Sequence, residues 1–182
     1  QVMNLALISL LNGLALVLLG VALLRNHPGI ENKLKAFPRS QPATWILLFI
    51  ATAWFLFHIS RLGEADYGNF KQYIALGFFA LAVLSLFFTP DFLGIRALAA
   101  IFLLVADVNL KAAFMQWQFP QRLLLVSYTY SLIVVALYLA ISPFRARDAL
   151  DWLYDIPKRA RITGGLLTFL GLAIGGVGMT MV

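Results

Sequence analysis

Long apolar runs separated by short polar stretches set the pattern of this chain. The runs cover residues 3–24, 44–60, 72–89, 93–114, 122–142 and 162–182. A helix of about 20 apolar residues crosses the hydrocarbon core, and it is stable there because its backbone groups bond within the segment. The pattern predicts an all-α fold: a polytopic integral membrane helical bundle of about six transmembrane helices, forming a single domain over residues 1–182. The first run is too long for the core of a signal peptide and lacks a small-residue cleavage site, so it is read as a span. Trp45, Tyr67, Tyr73, Trp117, Trp152 and Tyr154 fall near run boundaries, where headgroups suit an amphipathic ring.

The polar connections differ in character. RNHPGIENKLKAFPRSQPA, broken by Pro28, Gly29, Pro38 and Pro42, reads as a solvated loop holding at most one short helical turn. SPFRARDALDWLYDIPKRAR reads as an interfacial amphipathic helix over about 143–156, with Ser142 as cap, Pro143 in the first position and Pro157 as the stop. Ala149, Leu150, Leu153 and Ile156 form its apolar stripe, while Arg145, Arg147, Asp148, Asp151 and Asp155 lie off it. RLGEADYGNFK (61–71) reads as a polar loop and TPD (89–91) as a tight turn. The runs show no heptad array and no three-plus-three repeat of the kind inverted-repeat transporters carry.

Composition narrows the class. Hydrophobic residues make up 62% of the chain and charged residues 12%, too much apolar surface for a soluble fold of this length. The net charge of +6 points to anionic lipid headgroups rather than nucleic acid, because the basic residues flank the spans. Ten of the 14 Lys and Arg follow runs one, three and five, from Arg25 to Arg161; the other four are Arg61, Lys71, Lys111 and Arg122. Positive segments resist translocation, so the expected orientation puts the ten in the cytoplasm and both termini outside. The absence of any Asn-x-Ser/Thr sequon fits a bacterial cytoplasmic membrane. With no cysteine, disulfides, thiolate catalysis and Cys-ligated metal are excluded.

Asp107 is the sharpest candidate for chemistry. A carboxylate inside hydrocarbon must be paired, hydrated or protonated, and Lys111 stands four residues later in the favourable acid-first order. By depth, His58 and Arg61 at the end of run two, and Tyr128 and Tyr130 near the start of run five, are expected to join it in an outer-leaflet polar cluster. That cluster reads either as an anchoring network with Lys111 snorkelling to the interface, or as a proton, ion or headgroup site. Asn109 is read as pointing elsewhere. His58 can in principle ligate haem or a chlorophyll magnesium, but the other histidine, His27, is expected at the opposite face. The sequence names no cofactor and no metal.

Gly171 and Gly175 form a GxxxG pair, and the first run offers Gly13 and Gly20 with Asn12 as an interhelical hydrogen bonder. Such glycines serve close packing, within the bundle or against another subunit. The aromatic residues of runs two and three, among them Phe49, Phe78 and Phe87, are expected to face lipid. Motifs for phosphate loops, zinc proteases, serine hydrolases and potassium filters are missing. The leading expectation is a noncatalytic membrane subunit or scaffold that meets other membrane subunits or a second copy of itself. The alternative is a small transporter or lipid-handling protein that uses the Asp107 cluster.

Overall fold

A computed structural model describes residues 2–63, 67–88 and 91–180. It is an all-α helical bundle containing six helices long and apolar enough to cross a membrane, the architecture of an integral membrane protein. These are α1 (Val2–Arg25), α3 (Gln41–Ser60), α4 (Lys71–Phe88), α5 (Leu93–Ala113), α6 (Arg122–Ile141) and α8 (Pro157–Met179). Two shorter helices, α2 (Pro28–Ala36) and α7 (Phe144–Asp155), lie between spans. The proposed tight turn at 89–91 and the centre of the 61–71 loop fall partly outside the described residues, as do the last two residues of the sixth run.

Helix ends follow the local chemistry. Ser40 caps α3 by accepting from the Ala43 amide at 3.4 Å, and Pro42 occupies the first turn, so the helix starts three residues before the apolar run does. The first polar connection corrects the loop expectation. It carries the nine-residue helix α2, started by Pro28 and capped by His27 Nδ1, which accepts from the Gly29 amide at 3.1 Å. The interfacial helix is present as α7, but Ser142 does not cap it through its side chain; Pro143 is the N-cap residue. Pro157 both ends α7 and opens α8, so the last span begins five residues before its apolar run.

Its buried face also differs from the expected stripe. Tyr154 is buried and Leu153 packs beside it, whereas Ala149 and Ile156 are exposed. The face is chosen by α2, which lies against α7: Lys35 sits over the Tyr154 ring at 5.7 Å and pairs with Glu31 at 2.8 Å.

Hydrophobicity does not drive helix against helix within lipid; close packing and hydrogen bonds do. The closest packing joins α1 to α8, antiparallel. Ala6, Gly13 and Gly20 on α1 meet Gly178, Gly171 and Gly164 on α8, each set spaced by seven residues. A β-carbon added at Gly13 would fall 2.6 Å from the Gly171 carbonyl oxygen, and one at Gly171 would fall 2.6 Å from that of Gly13. Gly20 and Gly164 repeat this reciprocity at 2.7 Å. Between the small residues, Ser9, Leu16 and Leu23 set their β-carbons against Gly178, Gly171 and Gly164. This is a heptad array, contrary to the sequence reading, with size rather than polarity as its code.

Gly171, Gly13 and Gly20 are therefore used inside the chain. Gly175 is less constrained, with Gly13 Cα at an ordinary 3.8 Å from an added β-carbon. Gly13 sits against both glycines of the GxxxG pair, an added β-carbon there meeting the Gly171 carbonyl oxygen at 2.6 Å and the Gly175 amide nitrogen at 2.7 Å, and the small-residue contacts recur every seven residues.

α5 is the hub, in contact with α1, α3 and α6. Gly94 brings its first turn against Thr44 of α3, and Arg122 of α6 donates to the Ala113 carbonyl at its last turn, 2.8 Å away. α4 is outermost. It packs chiefly on α3, buries no residue, and exposes Phe79, Phe87 and Phe88.

Candidate functional site

Alternating helix directions bring the start of α1, the end of α3, the start of α4 and the end of α5 to one end of the bundle. There they enclose a cavity of about 850 Å³. His58 lies in the last turn of α3, while Asp107 and Lys111 lie one turn apart on α5. The Asp107 carboxylate accepts from Lys111 Nζ at 2.8 Å and from His58 Nε2 at 2.9 Å, both through Oδ2. Arg61 lines the same cavity, its guanidinium stacked on the Phe57 ring at 4.3 Å. Four of the six cluster residues expected from sequence thus come together.

Tyr128 and Tyr130 do not. Tyr128 packs against the core shared by α1, α5, α6 and α8, Tyr130 is exposed, and neither lines the cavity. Their depth in the membrane suits the cluster, but α6 sits on the other side of α5.

The cluster's chemistry follows from its donors. One carboxylate holds two cationic or potentially cationic side chains, and Arg61 adds a third among the described residues. Both His58 nitrogens face protein oxygens, Nε2 toward Asp107 and Nδ1 toward the Trp54 carbonyl at 3.4 Å. Among the described residues no three His, Asp or Glu side chains gather as a metal site would need. Lys111 is mostly exposed, so its remaining N–H groups point to the cavity mouth. The walls are apolar, built from Ile8, Phe55, Ile59, Leu62, Ile74 and Val108. An adjoining space of about 530 Å³ continues past Lys111 to Gln116. The arrangement suits an anionic group at the rim with hydrocarbon below it.

A second polar group went unrecognised in the sequence. Asn109, buried and two residues from Asp107, faces α1 and α6. Asn12 Nδ2 donates to Asn109 Oδ1 at 2.8 Å and to the Ile8 carbonyl, and Asn109 Nδ2 donates to Asn12 Oδ1 and Thr129 Oγ1, each at 3.2 Å. The Thr129 hydroxyl donates to the Leu125 carbonyl at 2.7 Å, which leaves no buried donor of the three unpaired. Asn12 was legible as a hydrogen bonder; its partner required the register of α1 on α5. This network ties three helices together, and Asn12 and Asn109 also border an apolar space of about 260 Å³ between α1, α3 and α5.

Comparisons with protein-family models, with curated proteins and with solved structures gave no match to this chain.

Proposed function

We propose that this integral membrane protein binds an amphiphile with an anionic headgroup in the cavity at His58, Arg61, Asp107 and Lys111. The observation that carries the reading is the pairing of a cationic rim with an apolar wall in one space of lipid-headgroup size. Asp107 acts as an organiser: it draws His58 and Lys111 together while leaving the rim's net charge positive. With ten of 14 Lys and Arg at the opposite end of the bundle, the cavity opens toward the outer leaflet of a bacterial cytoplasmic membrane, and both termini face outside.

Native mass spectrometry of the detergent-solubilised protein tests this. Phosphatidylglycerol is expected to stay bound where phosphatidylcholine dissociates, and Lys111→Gln combined with Arg61→Gln is expected to weaken the anionic lipid about tenfold, the effect of losing one or two charge-assisted contacts. Equal retention of both lipids, or a double variant that binds as wild type does, defeats the reading.

A second reading, a noncatalytic subunit of a larger membrane complex, is favoured by α4, whose every described residue is left unburied. It expects a stoichiometric membrane partner after extraction in mild detergent. A monodisperse monomer from native membranes counts against it. The seam glycines no longer support it, because α1 and α8 use them on each other.

A further inference from the structure

A second cavity, of about 430 Å³, lies between α3, α4 and α5 toward the opposite end of the bundle. Its wall is apolar apart from Thr52, Ser85 and Arg96. Arg96 sits in the first turn of α5, and among the described residues no carboxylate pairs with it. A guanidinium at the headgroup level of an apolar crevice matches a phosphate or carboxylate whose tail lies in the crevice.

The two cavities share one residue. Phe55 lines both, and its ring meets Phe78 of α4 edge-on, with centroids 4.7 Å apart. Arg96, Ala100, Asp107 and Lys111 recur along one stripe of α5, and Leu48, Thr52, Phe55 and His58 along one stripe of α3. The Arg96 and Ala100 end of the α5 stripe lines the second cavity and the Asp107 and Lys111 end lines the first, and on α3 Phe55 stands between the two. From Arg96 to Lys111 the helix rises about 22 Å, most of the hydrocarbon thickness, and long basic side chains reach farther toward each surface. α4 lines both cavities, and of the six spans it is the least anchored to the bundle.

We infer that the two cavities join, between α3, α4 and α5, into a path along which an anionic phospholipid passes between leaflets. Its headgroup exchanges between Arg96 at one end and the His58–Asp107–Lys111 cluster at the other, its tails remain in lipid beside α4, and the Phe55–Phe78 contact is the constriction. The inference rests on the proposed headgroup site and adds to it a second site and a route. Passage needs no energy input, since the lipid is chemically unchanged and moves down its own gradient. Thr52 supplies a hydroxyl partway, where a headgroup crossing hydrocarbon is otherwise without a partner.

The test is full-length protein reconstituted in phosphatidylcholine vesicles carrying fluorescent phosphatidylglycerol in both leaflets, with external dithionite as quencher. Wild type is expected to make inner-leaflet label reachable, and Phe55→Ala with Phe78→Ala to speed this several-fold. Arg96→Gln is expected to slow it several-fold while native mass spectrometry still finds lipid at the Lys111 site. Because the chain has no cysteine, Ala51→Cys with Ala82→Cys, joined by a cleavable thiol crosslinker, holds α4 on α3; exchange should stop and return on cleavage. Quenching confined to the outer leaflet, with anionic lipid still bound selectively, overturns the route and leaves the headgroup site standing. Loss of selective binding itself removes both. Exchange that is unaffected by Arg96→Gln and by the crosslink also overturns the route.

Discussion

The α1–α8 seam and the α3–α4 contact are built from opposite materials. The seam brings backbone to backbone, with glycine facing carbonyl oxygen on both helices every two turns. α4 rests on α3 through side chains, among them Phe55 and Phe78, and buries none of its own residues. In lipid, where apolar surface gains nothing by leaving the solvent, this difference separates a fixed joint from a movable one: van der Waals contact at short range holds the first, and lipid can replace much of the second.

The comparison breaks first at the seam. Gly171→Leu puts a side chain where the Gly13 carbonyl and the Leu16 β-carbon already stand. It is expected to cost about 3 kcal/mol, seen as a lowered Tm in detergent. Gly176→Ala, with nothing within 4 Å of the added carbon, should shift stability by about 0.5 kcal/mol or less. If the two variants melt alike, the seam is not the joint described.

Next in size is Asn109→Leu, which takes from Asn12 the partners of one amide N–H and of its carbonyl oxygen and takes from Thr129 a donated hydrogen bond, while the Thr129 hydroxyl still donates to Leu125. A loss of about 1–2 kcal/mol is expected in unfolding titrations. A change near zero would show that lipid or a neighbouring backbone satisfies the Asn12 amide.

Smaller effects sharpen the other side. Phe87→Ala on α4 should change stability by no more than about 0.5 kcal/mol, and α4 amides should exchange with deuterium sooner than those of α1 and α8. Equal protection of α4 and α1 would place α4 in the same rigid unit.

The smallest effect lies outside the spans. Burial first, and then the charge of Glu31, pushes the Tyr154 phenol above its ordinary pKa, and the hydrogen bond to Glu31 raises Lys35. Both groups bind their protons more tightly folded than unfolded. Their contribution is complete below pH about 10 and is lost as pH rises through the folded values. The α2–α7 contact should therefore loosen only in strong alkali, followed by tyrosinate absorbance. Tyr154→Phe, which removes a buried hydroxyl lacking a partner, should not weaken it at neutral pH.

What could be read from the chain was depth, and what could not was azimuth. Bilayer thickness dictates span length, so all six spans fall within a few residues of expectation; the largest departure is α8, where Pro157 starts the helix in polar sequence. Depth also placed His58, Arg61, Asp107 and Lys111 at one level, and they meet. Tyr128 shares that level and faces away, because a helix apolar on every side carries no mark of which face meets which neighbour. The heptad is hidden in the sequence for the same reason: with most positions apolar, only residue size distinguishes the seam. α2 was missed because its two prolines read as breaks, yet Pro28 occupies a first helical position and Pro38 lies beyond the end.

The seam also imposes an order on biogenesis. α1 enters the membrane before any of the intervening helices exist, and α8 is synthesised more than 130 residues after Arg25. At about 5–20 residues per second, that interval is on the order of ten seconds. During it, the glycine face of α1 has no mate in the chain, and it is open to any other helix with small residues in reach. Closing the bundle is thus a late event of synthesis, and the newborn protein is most exposed to wrong partners through the surface that later holds it most firmly.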